Sequence, residues 1–234
     1  MDSVSVKQTR SQVLVNEFVR SVYNWMAIGL GLTGVVAFAV ANSPAMLQLV
    51  YGNQILFFGL IIAELVLVFS ISARVSRMQA STATGLFLLY ARLNGITLSF
   101  VFLVFTKASI ASTFFVCAAT FVACSIYGWT TKRDLTTIGS FLFMGLIGII
   151  IASVVNLFVK SSAVATIVSY VGVLVFVGLT AWDTQKIKTM AMSQPDGIEA
   201  GVIRKGAIIG ALSLYLDFIN LFLMLLHILG ASRE

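Results

Sequence analysis

Long apolar runs broken by short polar connections dominate the chain. A membrane-crossing helix needs about 20 consecutive apolar residues. Seven windows qualify: Val22–Ala41, Ile55–Ala73, Thr82–Phe105, Ala108–Tyr127, Ile138–Val159, Ala163–Trp182 and Ile203–Leu229. The runs are continuously apolar and too long for barrel strands, which alternate over about 10 residues. The pattern predicts an all-α polytopic membrane protein with seven transmembrane helices. Its parts are a polar cytoplasmic N-terminal segment over 1–20, a membrane domain over 21–230 and a short tail over 231–234. The first run is too long for the apolar core of a cleaved signal peptide and reads as a retained span. Asn42-Ser43-Pro44 marks one turn, Lys107 another and Lys160-Ser161-Ser162 a third. The longest connection runs from Asp183 to Val202, with a turn at Pro195-Asp196-Gly197.

Basic residues then set an orientation, because cytoplasmic loops collect Lys and Arg. Lys7, Arg10, Arg20, Arg74, Arg77, Lys132, Arg133, Lys186, Lys188, Arg204 and Lys205 fall on one side; Lys107, Lys160 and Arg233 fall on the other. Eleven against three places the N-terminus in the cytoplasm and the C-terminus outside. This also explains the net charge of +6 without a nucleic-acid partner. With 59% hydrophobic and 10% charged residues in 234, a soluble enzyme is excluded, and so is a disordered chain.

An ionisable side chain inside a span costs about 2.5–3.5 kcal/mol even on the mildest scale and is a functional candidate by default. Four stand out: Glu64, Arg92, Asp183 and Asp217. Asp217 lies near the middle of the last span. Gly210, Ser213, Asp217, Asn220 and Met224 recur at three- and four-residue steps and share one helix face. Such a stripe fits a water-filled path or a structural hydrogen bond. Asp183 ends the sixth span and has Lys186 at i+3, the spacing of an ordinary helix-end pair. Glu64 and Arg92 are centred in the second and third spans. Their opposite charges predict an ion pair of Arg92 with Glu64 or Asp217. Gly145, Gly148, Ala152 and Asn156 on the fifth span, and Gly31 with Gly34 on the first, read as packing faces.

Several chemistries have no residues to run on. His227 is the only histidine, so a multi-histidine zinc or haem site is ruled out. There is no Gly-rich phosphate loop and no hydrolase motif. Cys117 and Cys124 lie seven apart in one apolar run, about 10 Å apart on a helix, too far for a disulfide. No enzyme activity and no resident cofactor are expected. A passive, carboxylate-lined path for protons or cations remains.

The segment Ala211-Leu212-Ser213-Leu214-Tyr215-Leu216-Asp217-Phe218-Ile219-Asn220-Leu221-Phe222 resembles the last-helix signature of the transmembrane Bax inhibitor motif (Bax inhibitor-1) family. Thr180-Ala181-Trp182-Asp183-Thr184-Gln185-Lys186 is similar to its other acidic motif, and Asn94-Gly95-Ile96-Thr97-Leu98 to its third-helix pattern. The overall look is that of a bacterial member, placed in the inner membrane. The resemblance implies seven helices with the last one central and wrapped by the other six. It implies a pH-sensitive calcium leak, with Asp183 and Asp217 as the carboxylate pair that gates and senses protons. It also implies a basic latch, for which Arg74, one position off register, is the nearest match. Glu64 matches an acidic position of the family, whereas Arg92 stands where the family pattern is apolar. Ser213 and Asn220 would line the path.

Two carboxylates in hydrogen-bond reach titrate as one unit, so the leak is expected to vary with pH over roughly 6 to 8. Calcium takes six to eight oxygens, so Asp183, Asp217 and Glu64 would contact it only in transit, as cargo. The partners expected are the bilayer, calcium and protons. Two alternatives compete. One is a non-conducting modulator of a membrane protease or stress response, which would need a membrane-protein partner. The other is a proton-coupled cation exchanger.

Overall fold

A computed structural model of the chain describes residues 2–193 and 199–232, with side chains from residue 15 onward. The expected turn at Pro195-Asp196-Gly197 and the last two residues of the tail lie outside the described residues. Among the described residues the chain is helical, with no β-strand and seven helical stretches long and apolar enough to span a membrane. It divides into two compact units, Met1–Leu103 with Ile187–Tyr215, and Val104–Lys186 with Leu216–Glu234.

In the first unit, α1 runs Asp2–Ala41, so the polar N-terminal segment and the first span form one helix. A short helix α2, Pro44–Tyr51, replaces the simple turn expected there. Ser43 caps it, accepting from Met46 N–H at 3.4 Å, and Pro44 opens it with a pre-set φ. Helix α3, Gln54–Arg74, is capped by Asn53, whose Oδ1 accepts from Leu56 N–H at 3.1 Å. Only 6% of its most apolar window is buried, as suits a helix facing lipid.

The third span is not one continuous α-helix. Helix α4, Ala80–Thr97, gives way to a 3₁₀ turn at Leu98–Phe100 and resumes as α5, Val101–Val104. The break has an identifiable cause. The Tyr51 hydroxyl accepts from Phe100 N–H at 3.0 Å and lies 3.0 Å from the Thr97 carbonyl, competing with the regular ladder. Close helix approach centres on Gly29 and Gly95. A Cβ on Gly95 would stand 2.7 Å from the Thr33 carbonyl, and one on Gly29 2.7 Å from the Phe87 ring. Gly31 and Gly34, expected to pack, have nothing within 4 Å; sequence spacing located the small residues but not the face that is covered.

In the second unit, α6 runs Lys107–Thr130 and α7 Thr136–Val159. Asp134 accepts from Thr136 N–H at 2.8 Å just before α7. That bond holds its exposed carboxyl below the usual carboxylate range, so its small contribution is present at neutral pH and lost on acidification. Helix α8, Ser162–Met192, continues ten residues beyond the hydropathy limit at Trp182. Helix α9, Ala200–Leu229, is the most buried span at 56%; α8 from Ile187 onward and α9 up to Tyr215 belong to the first unit. Gly128 of α6 lies against the Ala181 carbonyl of α8, and Gly139 of α7 against the Trp182 ring. Phe114 and Phe121 meet Phe218 edge-on, each with ring centroids 5.5 Å apart. Gln185 stitches the α6–α7 connection to α8, accepting from Leu135 N–H and donating to the Arg133 carbonyl, both at 2.8 Å.

Candidate functional site: a buried aspartate pair with its own lysine

Continuation of α8 past Trp182 decides the site. It carries Asp183 inside a regular helix, with Thr180 and Lys186 on the same side. Asp183 is only 9% exposed and Asp217, on α9, 4%. Both belong to the second unit. The two acids that the motifs name thus both lie buried in one unit. Hydropathy alone placed them at different depths.

The cation at this pair comes from the same helix. Lys186 Nζ lies 3.0 Å from Asp183 Oδ1 and 4.4 Å from the centroid of the Trp182 ring. Among the described residues, Asp217 Oδ2 is buried without a hydrogen-bond partner. An unpartnered buried carboxylate oxygen is costly and unusual in a folded protein. The i+3 pair seen in the sequence thus shares Asp183 with the acidic pair that the resemblance implies. Arg74, the expected latch, is exposed at the end of α3 and makes no ion pair among the described residues.

The remaining acid has a different environment. Glu64, in the first unit, is half-buried and its Oε1 accepts from Thr97 Oγ1 at 2.8 Å. Beside it runs a polar chain that the sequence did not flag. Asn94 Nδ2 donates to the Tyr90 hydroxyl at 3.1 Å. Thr33 Oγ1 donates to the Ala91 carbonyl at 2.8 Å and lies 2.6 Å from the Tyr215 hydroxyl. With its own proton committed to Ala91, Thr33 accepts from Tyr215. Tyr215 sits two residues before Asp217 in the quoted motif, and this was the available signal. Tyr90 and Tyr215 also meet edge-to-face at 5.6 Å.

Arg92 pairs with neither acid. Its side chain is exposed and, among the described residues, it makes no ion pair with Glu64 or Asp217; within its own unit, Glu64 is held by Thr97 instead. We therefore expect Arg92→Leu to leave thermal stability in detergent within about 0.5 kcal/mol. Thr97→Val, which removes the donor from Glu64, should cost about 1–3 kcal/mol. The reverse order of melting temperatures would restore the Arg92 pair. Ser213 is half-buried, and Asn220 donates to its own helix at the Leu216 carbonyl, 2.8 Å away, satisfying one of its groups locally. His227 lines a separate hollow with Asn156, Ser169 and Met224. Among the described residues no three His, Cys, Asp or Glu side chains gather as a metal site, so Asp183, Asp217 and Glu64 form no three-acid cluster.

Comparison with known proteins follows the same lines. The sequence pattern of the family described as "Inhibitor of apoptosis-promoting Bax1" matches residues 15–234. An "Inner membrane protein YbhL" of Escherichia coli K12 is 52% identical over 99% of this chain and 97% of its own. A protein of Rickettsia prowazekii is 46% identical over 94% of this chain and 92% of its own. One of Borreliella burgdorferi is 42% identical over 99% of each.

Proposed function

Because this chain belongs to the family of the inhibitor of apoptosis-promoting Bax1, also called the Bax inhibitor-1 family, we propose that it is a multi-pass inner-membrane protein that leaks calcium, with the Asp183–Asp217 pair as its gate. Membership and seven apolar spans support the membrane placement; the E. coli relative is an inner-membrane protein by its description. The observation that carries the gate is the buried carboxylate pair with one oxygen left unpartnered. A cation or a proton is the missing partner such an oxygen calls for. Proton uptake removes charge from the pair and so changes what a passing cation meets. Calcium is cargo, and neither a catalytic step nor a resident cofactor enters the proposal.

Purified protein in liposomes containing a calcium dye tests the reading. Calcium entry without partners and without a proton gradient supports the leak. No entry at any pH favours a non-conducting modulator, and entry that requires a proton gradient favours an exchanger.

The accompanying orientation is N-terminus in the cytoplasm, motivated by the uneven division of Lys and Arg. A topology reporter fused after the last residue should read as periplasmic. One inserted in the connection between Met192 and Ala200 should read as cytoplasmic. Both on one side would mean that one of the seven helices does not cross.

A further inference from the structure

A lysine three residues from an aspartate is commonplace on a helix surface, where such pairs contribute a few tenths of a kcal/mol. Three features set Lys186 apart. Its partner is almost buried: the Asp183 side chain is 13% exposed, while that of Lys186 is 52% exposed. The lysine therefore reaches inward from the wet end of the cluster. Next, among the described residues the other acid of the site, Asp217, has its buried Oδ2 left without a hydrogen-bond partner. Finally, the ammonium lies over the Trp182 ring, and that ring is seated against Gly139, where a Cβ would collide with it. A fixed aromatic face offers a cation a second resting place when it leaves a carboxylate.

From this geometry we infer that the Lys186 ammonium is the resident cation of the Asp183–Asp217 site, and that a metal cation binds there only by displacing it. With both aspartates ionised the pair carries two negative charges, and Lys186 cancels one of them. The site then attracts a divalent cation far less than two free carboxylates would, and the arriving ion must take over Asp183 Oδ1 from the ammonium. Lys186 is thus a tethered competitor. It keeps occupancy weak, which suits an ion in transit, and Trp182 holds it nearby so that it returns once the ion has passed. No bond forms or breaks covalently; one cation exchanges for another on the same oxygens.

The inference deepens the calcium reading given above but is tested by binding rather than by flux. Full-length protein in detergent is titrated with terbium(III) alone, an oxygen-seeking cation. Terbium emission is read on tryptophan excitation, with Trp182 as the neighbouring antenna. Lys186→Gln should lower the half-saturating terbium concentration about tenfold relative to the unmodified protein, as removal of one nearby charge predicts. Lys186→Arg keeps the cation and should remain within about threefold of the original. Lys186→Met, equally uncharged, guards against an effect peculiar to glutamine, and melting curves confirm that each variant is folded. Unchanged or weaker binding in folded Lys186→Gln and Lys186→Met overturns the inference, as does the absence of terbium binding in every protein. If the uncharged variants bind more tightly while liposomes show no calcium entry, Lys186 keeps its role and the leak reading alone fails. If liposomes leak calcium and the variants bind like the original, the leak reading stands and Lys186 is not the competitor.

Discussion

Asp217→Asn will leave calcium entry into proteoliposomes nearly independent of pH. Unmodified protein should change its leak at least about threefold between pH 6 and pH 8, since one proton step alters occupancy by up to about tenfold per pH unit. The amide cannot take up a proton, so the variant should vary by less than about 1.5-fold over the same range. Asp183→Asn should behave alike, because in the proposed pair removal of either carboxylate destroys the shared step. The double variant should resemble each single one rather than their sum, the mark of two residues that form one unit. Calcium entry measured at a series of pH values for the four proteins decides the matter. A wild-type pH profile in Asp217→Asn would remove the pair as the sensor.

The largest stability effect belongs to a residue with no charge at all. Gly128 lies on α6 where α8 passes, and a Cβ there would fall on the Ala181 carbonyl, two residues before Asp183. A backbone carbonyl cannot swing aside as a side chain does, so Gly128→Ala must push two helices apart. Overpacking of this kind costs about 1–3 kcal/mol, and the rigid neighbour places this case at or above the upper end. That corresponds to a fall in melting temperature of about 5–10 °C for a chain of this size. Gly148→Ala is the matched control, with nothing within 4 Å of the new methyl. It should be neutral or gain up to about 1 kcal/mol, because alanine is the better helix former. Thermal unfolding of both variants in one detergent makes the comparison. Equal melting temperatures would mean that α6 and α8 are not in close contact at Gly128.

Much of this protein is legible in its amino-acid sequence. Seven spans follow from apolar runs, because a bilayer core demands about 20 residues per crossing and tolerates few charges. Asp183 and Asp217 follow from the cost of burying a charge and from the motifs around them. What one-dimensional hydropathy reports is depth along the membrane normal, residue by residue. It ends the sixth span at Trp182, since Asp183, Gln185, Lys186 and Lys188 are polar, yet α8 runs on to Met192, where Gln185, Lys186 and Lys188 are good helix formers. It cannot see the break at Leu98–Phe100, which comes from a tyrosine 49 residues before Phe100 reaching that residue and its neighbours. Above all it carries no information on rotation about each helix axis. Rotation turned Arg92 outward and left Glu64 to Thr97. It closed the helices at Gly29 rather than at Gly31 or Gly34. It set Lys186 on Asp183 while Arg74 remained exposed. Sequence thus determined which residues enter the membrane and which acids are candidates there. Tertiary structure alone decided their partners, because a partner depends on which faces of two helices meet, and that is settled by packing across the whole interface.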